Sequence, residues 1–255
     1  MKIAIVQPDI IWEDKKANLS HIEELIQYYR DSAEIFLLPE MFSTGFSMKS
    51  PDLAESEEGK TIGWLLKMSA EYNAVFAGSI IFNSQDKYFN RLLWVQPDKK
   101  IIHYDKRHLF SMGDENKRFT PGQKQVYIDY RNWRIMPLIC YDLRFPVWSR
   151  NSFRYDLLTY HANWPGVRDE VWLSLLKARA IENQAYVIGI NRVGSDGEGI
   201  DYVGNSIVFD PKGKEMLNLG KNEKVGLIDL DLREVHDFRK KFPAYLDRDN
   251  FEILP

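Results

Sequence analysis

The chain has one cysteine, Cys140, and it sits where a nucleophile could work. The run Trp133-Arg134-Ile135-Met136-Pro137-Leu138-Ile139-Cys140 is extended and apolar, and Tyr141-Asp142-Leu143-Arg144-Phe145-Pro146 then turns polar. Cys140 therefore falls where a strand gives way to a turn. If a helical turn starts there, its backbone N–H groups point at the sulfur and favour the thiolate, and the Tyr141 amide is placed to hold an oxyanion. Taken alone, an isolated cysteine is more often a small, buried, inert hydrophobe.

A carboxylate occupies a similar position earlier in the chain. Ile35-Phe36-Leu37-Leu38-Pro39-Glu40 runs as an apolar strand into an acid, and Thr44-Gly45-Phe46 turns the chain away. Burial among Leu38, Met41 and Phe42 would disfavour the charged form of Glu40, which suits a group that accepts a thiol proton and returns it. The plainer reading is a rim carboxylate capping the loop. Lys106 follows the extended stretch Lys100-Ile101-Ile102-His103-Tyr104-Asp105. A lysine among Asp105, Arg107 and His108 is usually solvated surface, and spacing alone does not single it out.

The elements that must position these residues follow from the apolar runs at 3–6, 35–38, 74–82, 92–95, 135–140, 157–160, 186–190, 206–209 and 225–230. Most are strand-like in length. Helical periodicity fills 17–29, 61–72 and 171–183, so strands and helices alternate and the fold class is α/β, in layers. Gln96-Pro97-Asp98 and Asp210-Pro211-Lys212-Gly213 separate extended runs with turn residues, so some pairs are antiparallel and the sheets mixed. With no repeat, no low-complexity stretch and no Pro-rich linker, residues 1–255 read as one domain.

Bulk properties narrow the partners. With 34 Lys and Arg against 37 Asp and Glu, the chain presents no basic field for nucleic acid. No window approaches the roughly 18 apolar residues of a membrane span, and the N-terminus lacks the features of a secretory signal. One cysteine forms no internal disulfide, and the five His have no ligand spacing, so neither a metal nor a disulfide framework is expected. These features suit a reducing cytoplasm.

Three segments, in order, resemble the nitrilase superfamily of carbon-nitrogen hydrolases, in its omega-amidase-like bacterial branch. They are Leu38-Pro39-Glu40-Met41-Phe42, Tyr104-Asp105-Lys106-Arg107-His108-Leu109-Phe110 and Ile139-Cys140-Tyr141-Asp142-Leu143-Arg144-Phe145-Pro146. Ala4-Ile5-Val6-Gln7, Ala178-Arg179-Ala180-Ile181-Glu182-Asn183 and Gly204-Asn205-Ser206 extend the likeness over nearly the whole chain. The resemblance implies Glu40 as general base and later acid, Lys106 as oxyanion stabiliser and Cys140 as nucleophile, with no cofactor. It also implies a second acid orienting Lys106, matched by Glu115 ahead of Pro121-Gly122, with Asp114 as competitor.

The same resemblance implies a four-layer α-β-β-α sandwich that pairs into homodimers, with about 232–255 packing over the core or a partner subunit. It favours as substrate the omega-amide of a short 2-oxo acid, such as 2-oxoglutaramate or 2-oxosuccinamate. N-carbamoyl amines and nitriles stay open on the same machinery, as does a silent scaffold role. Phe42, Tyr141, Asn163 and Trp164 are candidate pocket walls, with core packing the equal alternative for the aromatics. For the substrate carboxylate the nearby cations are Arg144, Arg168 and Arg192, of which Arg144 is better read as a structural ion pair. Pro137 departs from the family pattern, and a bulge or an unpaired carbonyl is expected there.

Overall fold

The structure is a computed structural model that describes residues 1–152 and 154–253. Its strands, in chain order, are β1 (Lys2–Gln7), β2 (Ile35–Leu37), β3 (Val75–Ser84), β4 (Lys87–Val95), β5 (Ile101–Asp105), β6 (Ile128–Tyr130) and β7 (Trp133–Ile139). They continue with β8 (Leu157–His161), β9 (Tyr186–Ile190), β10 (Val193–Ser195), β11 (Asp201–Val203), β12 (Ile207–Phe209), β13 (Glu215–Asn218) and β14 (Lys224–Asp229). The helices are α1 (Lys15–Ile26), α2 (Ser50–Leu53), α3 (Lys60–Tyr72), α4 (Glu115–Arg118), α5 (Pro146–Ser149), α6 (Asp169–Asn183) and α7 (Leu232–Lys241).

Two six-stranded mixed sheets result, ordered β14-β1-β2-β3-β4-β5 and β13-β12-β9-β8-β7-β6. Each has a parallel trio at its centre, β1-β2-β3 in the first and β7-β8-β9 in the second, with antiparallel strands outside. The central runs are apolar throughout because both of their faces are covered. Along β1, Ile3 and Ile5 join Ile135, Leu157 and Ile188 in the core between the sheets. Ala4 and Val6, one residue out of phase, pack with Ile22 of α1 and Leu65 of α3. On the outer face of the second sheet, Leu158 and Val187 meet Trp172, Leu176 and Ala180 of α6. The order is therefore helix, sheet, sheet, helix.

Local signals set the helix ends. Asp14 caps α1 by accepting the Ala17 N–H at 3.0 Å, and α3 and α6 stop at Asn73 and Gln184, which take left-handed φ of 47° each. Gly189 lets α6 close on β9, since a Cβ there would lie 2.4 Å from Leu176 and 2.6 Å from Trp172. The sequence leads one to expect a bulge or an unpaired carbonyl at Pro137, and no bulge forms. β7 and β8 stay in register through Pro137↔Thr159, and on the other side β6 reaches only Ile135, so no neighbour there asks for the missing N–H.

At the C-terminal end, α7 lies against the second sheet. The Tyr186 hydroxyl donates to Glu234 at 2.7 Å, and Arg239 meets Asp156 at 3.1 Å. Of the segment 232–255, residues 254 and 255 lie outside the described residues.

Candidate active site

Glu40 and Lys106 leave the first sheet beyond β2 and β5, while Cys140 leaves the second beyond β7. The sheets stack so that these three chain ends share one small volume. Lys106 Nζ donates to Glu40 at 2.8 Å and to Glu115 at 2.9 Å, and all three side chains are fully shielded from solvent. Of the two acids the sequence offers, Glu115 is the one that meets Lys106, while Asp114 pairs with Lys117 at the surface. Cys140 sits at the edge of this cluster, 8% exposed, with its Sγ 3.8 Å from the Asn163 carbonyl and Glu40 alongside.

Both turns that present these groups are held in unusual backbone conformations. Met41, just after Glu40, has φ of 43° and Cys140 has φ of 40°, in the left-handed region that costs a residue with a Cβ about 1–2 kcal/mol. Hydrogen bonds hold the first turn in place. The Met41 N–H donates to Ser79 Oγ at 2.8 Å, and Ser79 Oγ donates to Asn90 Oδ1 at 2.7 Å. Asn90 then donates to Glu40 at 2.7 Å and to Glu115 at 3.0 Å. On the other side, Asn163 gives its N–H to the Glu40 carboxylate at 2.9 Å and its side-chain amide to the Glu40 carbonyl at 2.5 Å.

Asp142 holds the second turn. Cys140–Arg144 form a short 3₁₀ helix, and the buried Asp142 carboxylate reaches back to accept the Ile139 N–H at 3.1 Å. It also accepts the Tyr104 hydroxyl at 2.7 Å and the His108 N–H at 3.0 Å, with the His108 ring 2.8 Å away. One carboxylate thus ties the Cys140 turn to both flanks of Lys106.

Electrostatics decide the resting protonation. Burial works against the Lys106 ammonium, but the charges of Glu115 and Glu40 outweigh it and hold its pKa above the ordinary value. Burial pushes Glu115 up, against the pull of Lys106. Burial and then Glu40 push the Cys140 thiol well above its usual range, with Lys106 opposing, so the resting sulfur is protonated. Such a cluster can accept the thiol proton as the sulfur bonds to an electrophile, and can then hold negative charge on the adduct.

The cluster floors a cavity of about 510 Å³ walled by Phe46, Phe110, Tyr141, Asn163, Trp164 and Tyr202, among others. Tyr141, Asn163 and Trp164, read from the sequence as candidate pocket walls, line this cavity. Phe42 does not: it is fully buried in the outer core with its ring 6.1 Å from Trp64, in space left free by Gly78. Arg144 makes no ion pair among the described residues; it is exposed with its guanidinium 5.4 Å from the Trp164 ring. Arg192 is buried, 3.0 Å from Asp9, and only Arg168 of the three lines the cavity. Asn90, Ser79, Asp142 and His161 support the site without having been singled out in the sequence. Among the described residues no group of His, Cys, Asp and Glu is arranged to hold a metal.

Residues 2–240 match the carbon-nitrogen hydrolase family model. The chain belongs to that family. It is a nitrilase-superfamily hydrolase acting on carbon-nitrogen bonds. It is 43% identical to Omega-amidase YafV of Yersinia enterocolitica, over 100% of this chain and 99% of the relative. It is 31% identical to the 2-oxoglutaramate amidase of Bacillus subtilis, over 96% of each. A CN-hydrolase superfamily protein of Xanthomonas campestris, solved with an arsenic adduct in its active site, superposes with a TM-score of 0.97 at 37% identity, covering 99% of this chain and 98% of that one.

Proposed function

We propose that this carbon-nitrogen hydrolase cleaves the omega-amide of short 2-oxo dicarboxylic acid monoamides, such as 2-oxoglutaramate and 2-oxosuccinamate, giving the 2-oxo acid and ammonia. The observation that carries the chemistry is the convergence of Cys140 with Glu40 and Lys106, the latter two 2.8 Å apart. Full-length similarity to relatives named omega-amidase and 2-oxoglutaramate amidase supports the substrate class.

In this reading the Cys140 sulfur adds to the amide carbon while its proton passes to Glu40. Lys106 and the Tyr141 N–H stabilise the oxyanion, and Glu115 holds Lys106 in place. The carbon-nitrogen bond breaks as Glu40 returns the proton, and ammonia leaves a thioester on Cys140. Glu40 then takes a proton from water, whose oxygen attacks the thioester; the acid departs and the thiol is restored. Asn163, Tyr141 and Trp164 shape the substrate space. The cycle needs no cofactor.

Homodimer formation and a cytoplasmic location belong to the same proposal. Exposed Val147, Val167 and Ile181 around α5 and α6 supply apolar area for pairing, and a lone unbridged thiol suits a reducing compartment.

The test is ammonia release from 2-oxoglutaramate set against N-carbamoyl amines, with a mass spectrum of the protein during turnover. A 2-oxo acyl adduct on Cys140 is expected. Turnover by Cys140→Ala, or release from the N-carbamoyl compounds alone, would overturn the reading.

A further inference from the structure

The substrate class proposed above has a second end, a carboxylate beyond the amide, and a cation in the cavity wall is the natural partner for that end. Four cations line the cavity: Lys49, Lys106, Arg118 and Arg168. Lys106 is committed to Glu40 and Glu115, and Lys49 to Glu13 at 2.7 Å. Arg118 is exposed on the last turn of α4. Arg168 is half-buried and has no carboxylate partner among the described residues.

Arg168 is also held on both sides of the site. Its carbonyl accepts the Trp164 indole N–H at 2.8 Å, next to the Asn163 that bonds Glu40. Its guanidinium lies over the Phe110 ring at 5.4 Å, and that ring meets Tyr141 edge-on at 5.1 Å. The Phe110 N–H in turn donates to Glu115 at 2.6 Å. A guanidinium that meets an aromatic ring through its cation spends none of its N–H groups on an acceptor there and can still offer a fork to a carboxylate.

The cavity's own acids are engaged elsewhere. Glu13 holds Lys49, Asp114 holds Lys117, and Asp196 accepts from the Ile200 N–H and the Tyr202 hydroxyl. Exposed Glu198 acts on Lys49.

We propose that Arg168 receives the distal carboxylate of the substrate and so selects acidic amides over neutral ones; this rests on the omega-amide reading of the site. The test compares wild type, Arg168→Gln, Arg168→Lys and Arg118→Gln on 2-oxoglutaramate, succinamate and butanamide. Succinamate and butanamide present similar acyl chains with and without a carboxylate.

Arg168→Gln should raise KM for the two acidic amides by about 10- to 100-fold while leaving kcat/KM on butanamide within about twofold, and Arg168→Lys should recover part of the loss. Equal losses on all three amides, no loss on any, or the loss appearing in Arg118→Gln would each overturn the assignment. A wild type inert to 2-oxoglutaramate but preferring succinamate to butanamide, with that preference erased in Arg168→Gln, would sink the 2-oxo reading and uphold Arg168. A wild type with no preference for acidic amides would sink Arg168 itself.

Discussion

His161 hands its Nδ1 proton to the Leu38 carbonyl at 2.6 Å, a hydrogen bond from the second sheet to the strand end that carries Glu40. The Thr159 hydroxyl lies 3.1 Å from the other ring nitrogen and donates to it, so the neutral tautomer is fixed by what surrounds it. Burial pushes the His161 pKa down to about 4, while the Leu38 bond opposes part of that shift.

The consequence is acid lability. Between the ordinary value of 6.5 and about 4 the unfolded chain binds more protons at this histidine than the folded one does. Stability therefore rises with pH across that window and is lost as the pH falls, by roughly 3 kcal/mol in all. Urea unfolding from pH 7.5 to 4.5 should give a steep dependence in wild type and a flatter one in His161→Gln. Equal slopes would remove His161 from the account.

Lys106 is the cation set between two carboxylates that are shielded from water. Lys106→Met should cost about 3–5 kcal/mol in urea unfolding and abolish ammonia release, because it leaves buried Glu40 and Glu115 without their cation. Adding Glu115→Gln to that variant should recover part of the stability but none of the activity. Unchanged stability in Lys106→Met would mean that the cluster carries less charge than the geometry implies.

Glu40 is one of the groups that keep the Cys140 thiol protonated, by its charge and by contact. Glu40→Gln should therefore lower the pH midpoint for iodoacetamide alkylation of Cys140 while reducing kcat by about 100- to 10,000-fold. Easier alkylation with lost turnover separates a proton carrier from a mere electrostatic brake. A midpoint that moved upward would contradict the burial and charge balance at the sulfur.

Asp142 accepts from three donors besides the His108 ring, on both segments it joins. Asp142→Asn turns an N–H group toward at least one of those donors, and hydrogen bonds to a charged acceptor are worth about 1.5–3 kcal/mol each. The variant should melt lower and lose kcat more than KM, since it loosens the Cys140 turn relative to Lys106. A fall in thermal midpoint with kcat intact would make Asp142 a fold residue alone.

Which of these features the sequence shows depends on how local their cause is. Strand runs such as 186–190 and the turn after Ile139 are written in neighbouring residues, and both appear as expected. Lys106 is different. Its neighbours Asp105 and Arg107 look like surface, and only the ordered likeness of three segments picks it out, because its burial is created by Glu40 and Glu115 arriving from elsewhere. Phe42 reads as a cavity wall from its place beside Glu40, yet the left-handed turn at Met41 and the bare face of Gly78 take its ring into the outer core.

Asn90 shows the same limit from the other side. One polar residue within Tyr88-Phe89-Asn90-Arg91-Leu92 is unremarkable as text, and its contacts with Ser79, Glu40 and Glu115 exist only once β3 and β4 pair and α4 folds in. Arg144 likewise looks like half of an ion pair until Trp164, twenty places on, supplies a ring instead.

Glu40 and Lys106 come from one sheet and the sulfur of Cys140 from the other, which bears on how the enzyme comes into being. A chain that has completed either sheet alone is chemically mute, whatever its secondary structure content. During refolding, the first ammonia released would mark the moment the two halves dock, later than any signal that reports strands or helices by themselves.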